Sequence, residues 1–140
     1  MRKYVPIAKK LQRNDGGVFM GGVIVVDDSS FMRKMVAQSL EEAGFKILGQ
    51  AVNGSEAFEI YKKERPDFVV MDVTMRGTDG LEGASMIKQF DPTAKIVFMS
   101  LNNDPAVKEK AMALGALGFV GKNEKEQLIT LLLENEGIGD

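Results

Sequence analysis

The chain has 140 residues, 44% hydrophobic and 27% charged, with a formal net charge of -2; that is the balance of one globular domain able to bury its own core. It contains no cysteine and no histidine, which excludes disulfides, thiol catalysis, zinc held by thiolate or imidazole, and any imidazole acid or base. The near-neutral charge argues against general nucleic-acid binding, no apolar run approaches the roughly 20 residues of a membrane span, and the basic start lacks the apolar stretch of a secretory signal, so the expected location is the cytoplasm.

Residues 1–21 read as a basic, glycine-rich extension. Arg2, Lys3, Lys9, Lys10 and Arg13 precede the first acid, and Gly16, Gly17 and Gly21 surround Val18, Phe19 and Met20. The expectation is a flexible segment, because so short a stretch carrying Pro6 is a poor helix. A regular pattern begins at Gly22. Val23 to Val26 is a short β-branched run, suited to a strand buried on both faces, and it ends in Asp27-Asp28. Met32, Met35, Val36, Leu40 and Ala43 then recur at helical spacing, with Gly44 as the stop. Asp28, before Ser29, is one candidate for the cap of that helix.

Phe45 to Ala51 reads as a second strand, and Asn53 with Glu56 as a capping box opening a helix that Pro66 ends. Asp67 to Val73 is a third strand. Asp79 with Glu82 caps a helix running to about Phe90. Ile96 to Met99 is a fourth strand ending in Ser100. Asp104-Pro105 opens a helix to about Leu114, with proline in its first turn. Gly118 to Gly121 is a fifth strand ending in Lys122, and Asn123 with Glu126 offers a third capping box, for a helix through Leu132. Strand and helix alternate five times between residues 22 and 135. The expectation is an α/β domain with a parallel sheet covered on both faces and right-handed crossovers, followed by a short tail at 136–140.

Open parallel sheets bind ligands beyond the carboxyl ends of their strands. The residues leaving those ends here are Asp27 and Asp28, Asp72, Ser100 and Lys122. An aspartate at a strand end often only caps a helix, and serine is common there. Asp72 is harder to dismiss, because it follows Phe68 to Met71 directly and Val73 prolongs the apolar run. A carboxylate so placed is costly unless paired or metal-bound. Lys122 among Phe119, Val120 and Gly121 poses the same problem with opposite charge. Three clustered carboxylates repel one another, and a hard divalent cation relieves them. Few oxygen ligands on a small open site favour Mg2+. A cation beside Lys122 makes a pocket for a phosphoryl group. Asp72 can then act as nucleophile and form an acyl phosphate, with Ser100 and Lys122 holding phosphoryl oxygens.

At these residues the chain resembles the receiver domain of bacterial response regulators. The resemblance lies in Val23 to Ser29, in Val70 to Met75 with Asp79-Gly80 beyond, in Met99-Ser100 and in Phe119 to Lys122. It implies a single flavodoxin-like (βα)5 domain, doubly wound, of strand order 2-1-3-4-5. It implies Mg2+ on Asp27, Asp28, Asp72 and the backbone carbonyl of Thr74, and phosphate accepted by Asp72 from a sensor histidine kinase. It also implies a switch in which Ser100 moves toward the phosphoryl group and Phe119 turns inward, remodelling the surface of the fourth helix, fifth strand and fifth helix. The physical cause would be a new dianion favouring one of two packings. The chain departs from the family pattern at three positions. Asn123 follows Lys122 where proline with a cis bond is usual, Arg76 replaces a loop proline after Met75, and Leu101 replaces a small residue after Ser100. Leu101 bears on access to Asp72. Thr74 and Asn102, at the mouth of the site, carry no acid.

The expected role is a signalling switch in chemotaxis or motility rather than a metabolic enzyme. No DNA-binding output is expected, since only a few residues follow the last helix. Output would pass to a downstream protein, a flagellar motor switch or a phosphotransfer protein, with a phosphatase as a further partner. A phosphorelay intermediate and a receiver-like binding module that is never phosphorylated are the alternatives. A magnesium-dependent phosphatase of the haloacid-dehalogenase type needs its nucleophile on the first strand and a second aspartate two residues on. Asp27 is followed by Asp28 and Ser29, so that motif fails.

Overall fold

The structure, a computed structural model, describes residues 19–77, 79–101 and 104–136. The tail expected at 1–21 lies almost wholly outside them, as do Asn102 and residues 137–140 of the tail expected at the end. The elements run β1 (Gly22–Val26), α1 (Ser30–Glu42), β2 (Lys46–Ala51), α2 (Gly54–Glu64), β3 (Phe68–Asp72), α3 (Gly80–Phe90), β4 (Ile96–Ser100), α4 (Pro105–Ala113), β5 (Gly118–Gly121) and α5 (Lys125–Glu134). All strand pairings are parallel and the order is β2-β1-β3-β4-β5, the expected flavodoxin-like topology.

Alternation along each strand sorts the core into two layers. Ile24, Val26, Val69, Met71, Ile96 and Phe98 face Ala57 and Tyr61 of α2, Ala84 and Ile87 of α3 and Ala111 of α4. Val23, Val25, Val70, Val97, Met99 and Val120 face Val36, Ala37 and Leu40 of α1 and Leu128 and Leu132 of α5. Burial on both faces explains why these strands are continuous apolar runs in the sequence.

Most expected boundaries have a visible local cause. Gly44 takes φ +100, while its N–H donates to Glu41 O and that of Phe45 to Leu40 O. This pair of bonds closes the last turn of α1 and needs a left-handed residue, which glycine adopts without strain. Phe45 thereby belongs to the helix cap rather than to β2, and it packs edge-on against Phe68 with ring centroids 6.1 Å apart. Asn53 Oδ1 accepts the Glu56 N–H at 2.8 Å, but Glu56 reaches back to the N–H of Val52 at 3.2 Å. Asp79 Oδ1 accepts from Glu82 N at 2.9 Å, and Asp104 Oδ1 from Ala106 N at 3.0 Å ahead of Pro105.

Two cap expectations are corrected. Ser29, not Asp28, caps α1, its hydroxyl accepting the Met32 N–H at 3.2 Å. The box expected at Asn123 and Glu126 does not form. The N-cap of α5 is Glu124, without a side-chain cap bond, because its carboxylate turns back to accept the Gly121 N–H at 3.0 Å. Its own N–H donates to Gly121 O at 3.0 Å. This tight turn consumes Asn123 and delays the helix by one residue.

At the opposite end of the sheet, Tyr61 Oη donates to Asp91 Oδ2 at 2.6 Å, and Asp91 Oδ1 accepts from Thr93 N and Thr93 Oγ1 at 3.0 and 2.6 Å. Tyr61 and Asp91 are both buried. The bond ties α2 to the end of α3, and removing its donor weakens the hydrogen bonding of a buried carboxylate. Tyr61→Phe is therefore expected to cost about 1–3 kcal/mol in urea unfolding, with the denaturant slope unchanged.

Candidate functional site

The parallel sheet brings every strand's carboxyl end to one edge. Asp72 pairs in register with Met99 and Ser100 with Gly121, so the residues leaving β1, β3, β4 and β5 meet there. Three ligand atoms, one each from Asp27, Asp28 and Asp72, lie within 4.8 Å of one another. Asp27 and Asp72 are only 5% and 6% exposed, while Asp28 is half-buried.

Local backbone geometry aims each acid. Asp27 follows β1, its N–H bonded to Ala51 O, and its Oδ1 accepts the Ser29 N–H at 2.9 Å. Because Ser29 caps the helix, the Asp28 side chain is left for the site. Asp72 Oδ1 accepts the Thr74 N–H at 3.1 Å. Lys122 is positioned by its own N–H, which donates to Ser100 O at 2.9 Å. Its ammonium then lies across two acids, 2.8 Å from Asp27 Oδ2 and 2.9 Å from Asp72 Oδ2. Among the described residues no peptide bond is cis, so Lys122-Asn123 is trans; the ammonium reaches both acids without the cis bond usual in the resembling family.

Electrostatics follow from this burial. Desolvation pushes the Asp72 carboxyl above its ordinary value, and the Lys122 ammonium opposes that without cancelling it. Burial by itself would lower Lys122, but its hydrogen bonds to Asp27 and Asp72 outweigh it and hold the ammonium above its usual range. A third acid beside a carboxylate that resists ionisation, all donors being oxygen, fits a hard divalent cation.

Other expected positions fall around this cluster. Ser100 ends β4 at the same edge. Thr74 is exposed in the loop after β3, and Leu101 is 80% exposed, projecting into solvent. Phe119 sits deeper, paired with Phe98 and half-buried against the α2–α4 layer. Three contacts were not foreseen. Arg33 Nη1 donates to Asp27 O at 2.6 Å, one turn into α1. Arg76 donates its N–H to Asp28 Oδ2 at 3.1 Å and sets Nε 3.6 Å from the same oxygen. Gly80 begins α3 directly against the Asp72 carbonyl, where a Cβ would lie 2.2 Å from the oxygen. Arg33 carries a signal in the sequence, since helical side chains point back toward the amino end; the other two depend on how a loop folds over.

Residues 23–134 match the family model of the response regulator receiver domain. The chain is 40% identical over 100 residues to the chemotaxis protein CheY of Thermotoga maritima, across 71% of this chain and 83% of that one. It is 43% identical over 100 residues to CheY of Halobacterium salinarum, across 71% and 82%. Among solved structures it superposes on the CheX-CheY-BeF3-Mg+2 complex from Borrelia burgdorferi with TM-score 0.78 and 27% identity, covering 91% of this chain and 96% of that one. Vibrio cholerae CheY4 gives TM-score 0.76 and 30% identity over 82% and 98%. A family model spanning most of the chain, curated relatives at this identity and the shared sheet order agree: the chain belongs to the response regulator receiver domain family.

Proposed function

We propose that this chain is a phosphorylation-driven switch, in the cytoplasm and in chemotaxis signalling, that accepts a phosphoryl group on Asp72 from a histidine kinase. The observation that carries the reading is the Lys122 ammonium bridging Asp27 and Asp72 beside Asp28. Asp27, Asp28 and Asp72 would hold Mg2+, with the Thr74 carbonyl as a further ligand; the bound ion would offset the negative charge that a phosphoryl group brings to these acids. A carboxylate oxygen of Asp72 attacks phosphorus, the P–O bond forms as the P–N bond of a phosphohistidine breaks, and the electron pair leaves on the imidazole, which takes up a proton. Lys122 pairs with a phosphoryl oxygen and Ser100 donates to another. Ser100 and Phe119 then relay the change to the α4-β5-α5 surface, where a downstream protein binds. The Borrelia burgdorferi relative was solved with beryllofluoride and Mg2+, which supports the choice of this cation and of a phosphoryl-like group beside it. The chain is a phosphoacceptor in this reading and turns over no metabolite.

Incubation with Mg2+ and acetyl phosphate is expected to add one phosphoryl group by mass, and beryllofluoride to shift backbone NMR resonances. Asp72→Asn is expected to abolish both. No response of the wild type to either reagent at millimolar Mg2+ would instead leave a binding module. The same substitution is expected to stabilise the metal-free fold at neutral pH by about 1 kcal/mol. The sign follows from burial. Because the Asp72 carboxyl is raised in the folded state, its ionisation costs stability, and that cost grows as pH rises from the ordinary aspartate value through the raised one. Below the ordinary value both states are protonated, so thermal unfolding of the two proteins is expected to converge there.

A further inference from the structure

The three acids are not held alike. Lys122, its side chain 8% exposed, is locked between Asp27 and Asp72. Asp28 is instead held by Arg76, whose side chain is 93% exposed. Two groups of Arg76 converge on Asp28 Oδ2: the backbone N–H donates to it at 3.1 Å, and the charged guanidinium pairs with it, Nε lying 3.6 Å away. A proline, the residue usual at this loop position in the family, could offer neither. Resting on the magnesium reading above, we propose that Arg76 is a positioning residue that sets the affinity of the cation site. Its guanidinium shares the charge of Asp28 with an incoming cation and holds the loop after β3 against β1.

The division of labour has a physical basis. A buried ammonium with two short contacts is costly to displace, whereas an exposed arginine is hydrated already and loses little on leaving. Arg76 is therefore the counter-charge that yields when a cation enters, and Lys122 the one that stays. An exposed pair of this kind is weak, so the expected effect is a tuning of affinity by about two- to five-fold.

Calorimetric titration of Mg2+ into the full chain at low ionic strength tests this. Arg76→Gln, which keeps the amide and removes the charge, is expected to bind Mg2+ about two- to five-fold more tightly. Arg76→Pro, which removes the backbone donor and the charge together, is expected to bind at least as tightly as Arg76→Gln, and Arg76→Lys to return close to the wild-type constant. The difference between wild type and Arg76→Gln is expected to shrink as potassium chloride is added, because exposed charges are screened. A loop effect without electrostatics would not respond to salt. Equal affinity of wild type and Arg76→Gln overturns the inference while leaving magnesium binding intact. Absence of Mg2+ binding by every variant overturns the magnesium reading itself, and the inference with it.

Discussion

Lys122→Met is expected to lower the stability of the metal-free protein by about 3 kcal/mol and to slow phosphoryl acceptance by roughly two to three orders of magnitude. Methionine keeps the length and most of the volume of the lysine stem, so the substitution isolates the charge. Without the ammonium, Asp27 and Asp72 face each other with 5% and 6% exposure and no opposite charge between them. The penalty of breaking a buried pair lies in the charge left behind rather than in the bond lost. Mg2+ supplied at about 100 times its dissociation constant contributes roughly 2.7 kcal/mol to a folded state that binds it, which is nearly the amount removed. Stability is therefore expected to recover with Mg2+ while phosphoryl acceptance stays low, since the developing charge on the transferring group has lost a fixed donor. Equal unfolding midpoints for variant and wild type in chelator would show that the ammonium does not hold the two acids in solution.

Gly80→Ala carries the second large effect, and it acts through the backbone. A Cβ at this position would lie 2.2 Å from the Asp72 carbonyl oxygen and 3.0 Å from Val73 Cα. Neither neighbour can give way as a flexible side-chain end would. The Gly80 N–H is also bonded to Val73 O at 3.0 Å, so the start of α3 is pinned against the end of β3. Making room requires sliding α3 or displacing the turn that carries Asp72. A cost of about 3 kcal/mol in chemical denaturation is expected, along with slower phosphoryl acceptance from a misplaced Asp72. An alanine that left both stability and acceptance unchanged would mean that α3 does not approach the strand so closely.

Much of this protein could be read along the chain because its signals are local. Val23–Val26 and Phe68–Met71 are strands buried on both faces, and unbroken apolar runs of that length have few other uses. Gly44, Pro66 and Pro105 mark helix limits through their own backbone restrictions. The site could be approached by the same route, since a parallel sheet sends every carboxyl end to one edge. Local reading failed where two neighbouring residues could each do the same task. Ser29 rather than Asp28 caps α1, and Glu124 bends back on Gly121 instead of leaving Asn123 to cap α5. Each choice was made by what the competing residue does elsewhere: Asp28 accepts the Arg76 amide, and Asn123 is spent in a turn.

The order of strands and helices, the two-faced burial of the sheet and the identity of the residues at its carboxyl edge were therefore set by the amino-acid sequence alone, because periodicity and backbone restriction act within a few residues. Which carboxylate the ammonium bridges, which one the exposed arginine tends, and how near α3 comes to the acceptor strand were decided only by the tertiary structure. Those contacts join positions about fifty residues apart, 122 to 72 and 76 to 28, and no local preference selects among partners that meet only after the sheet has formed.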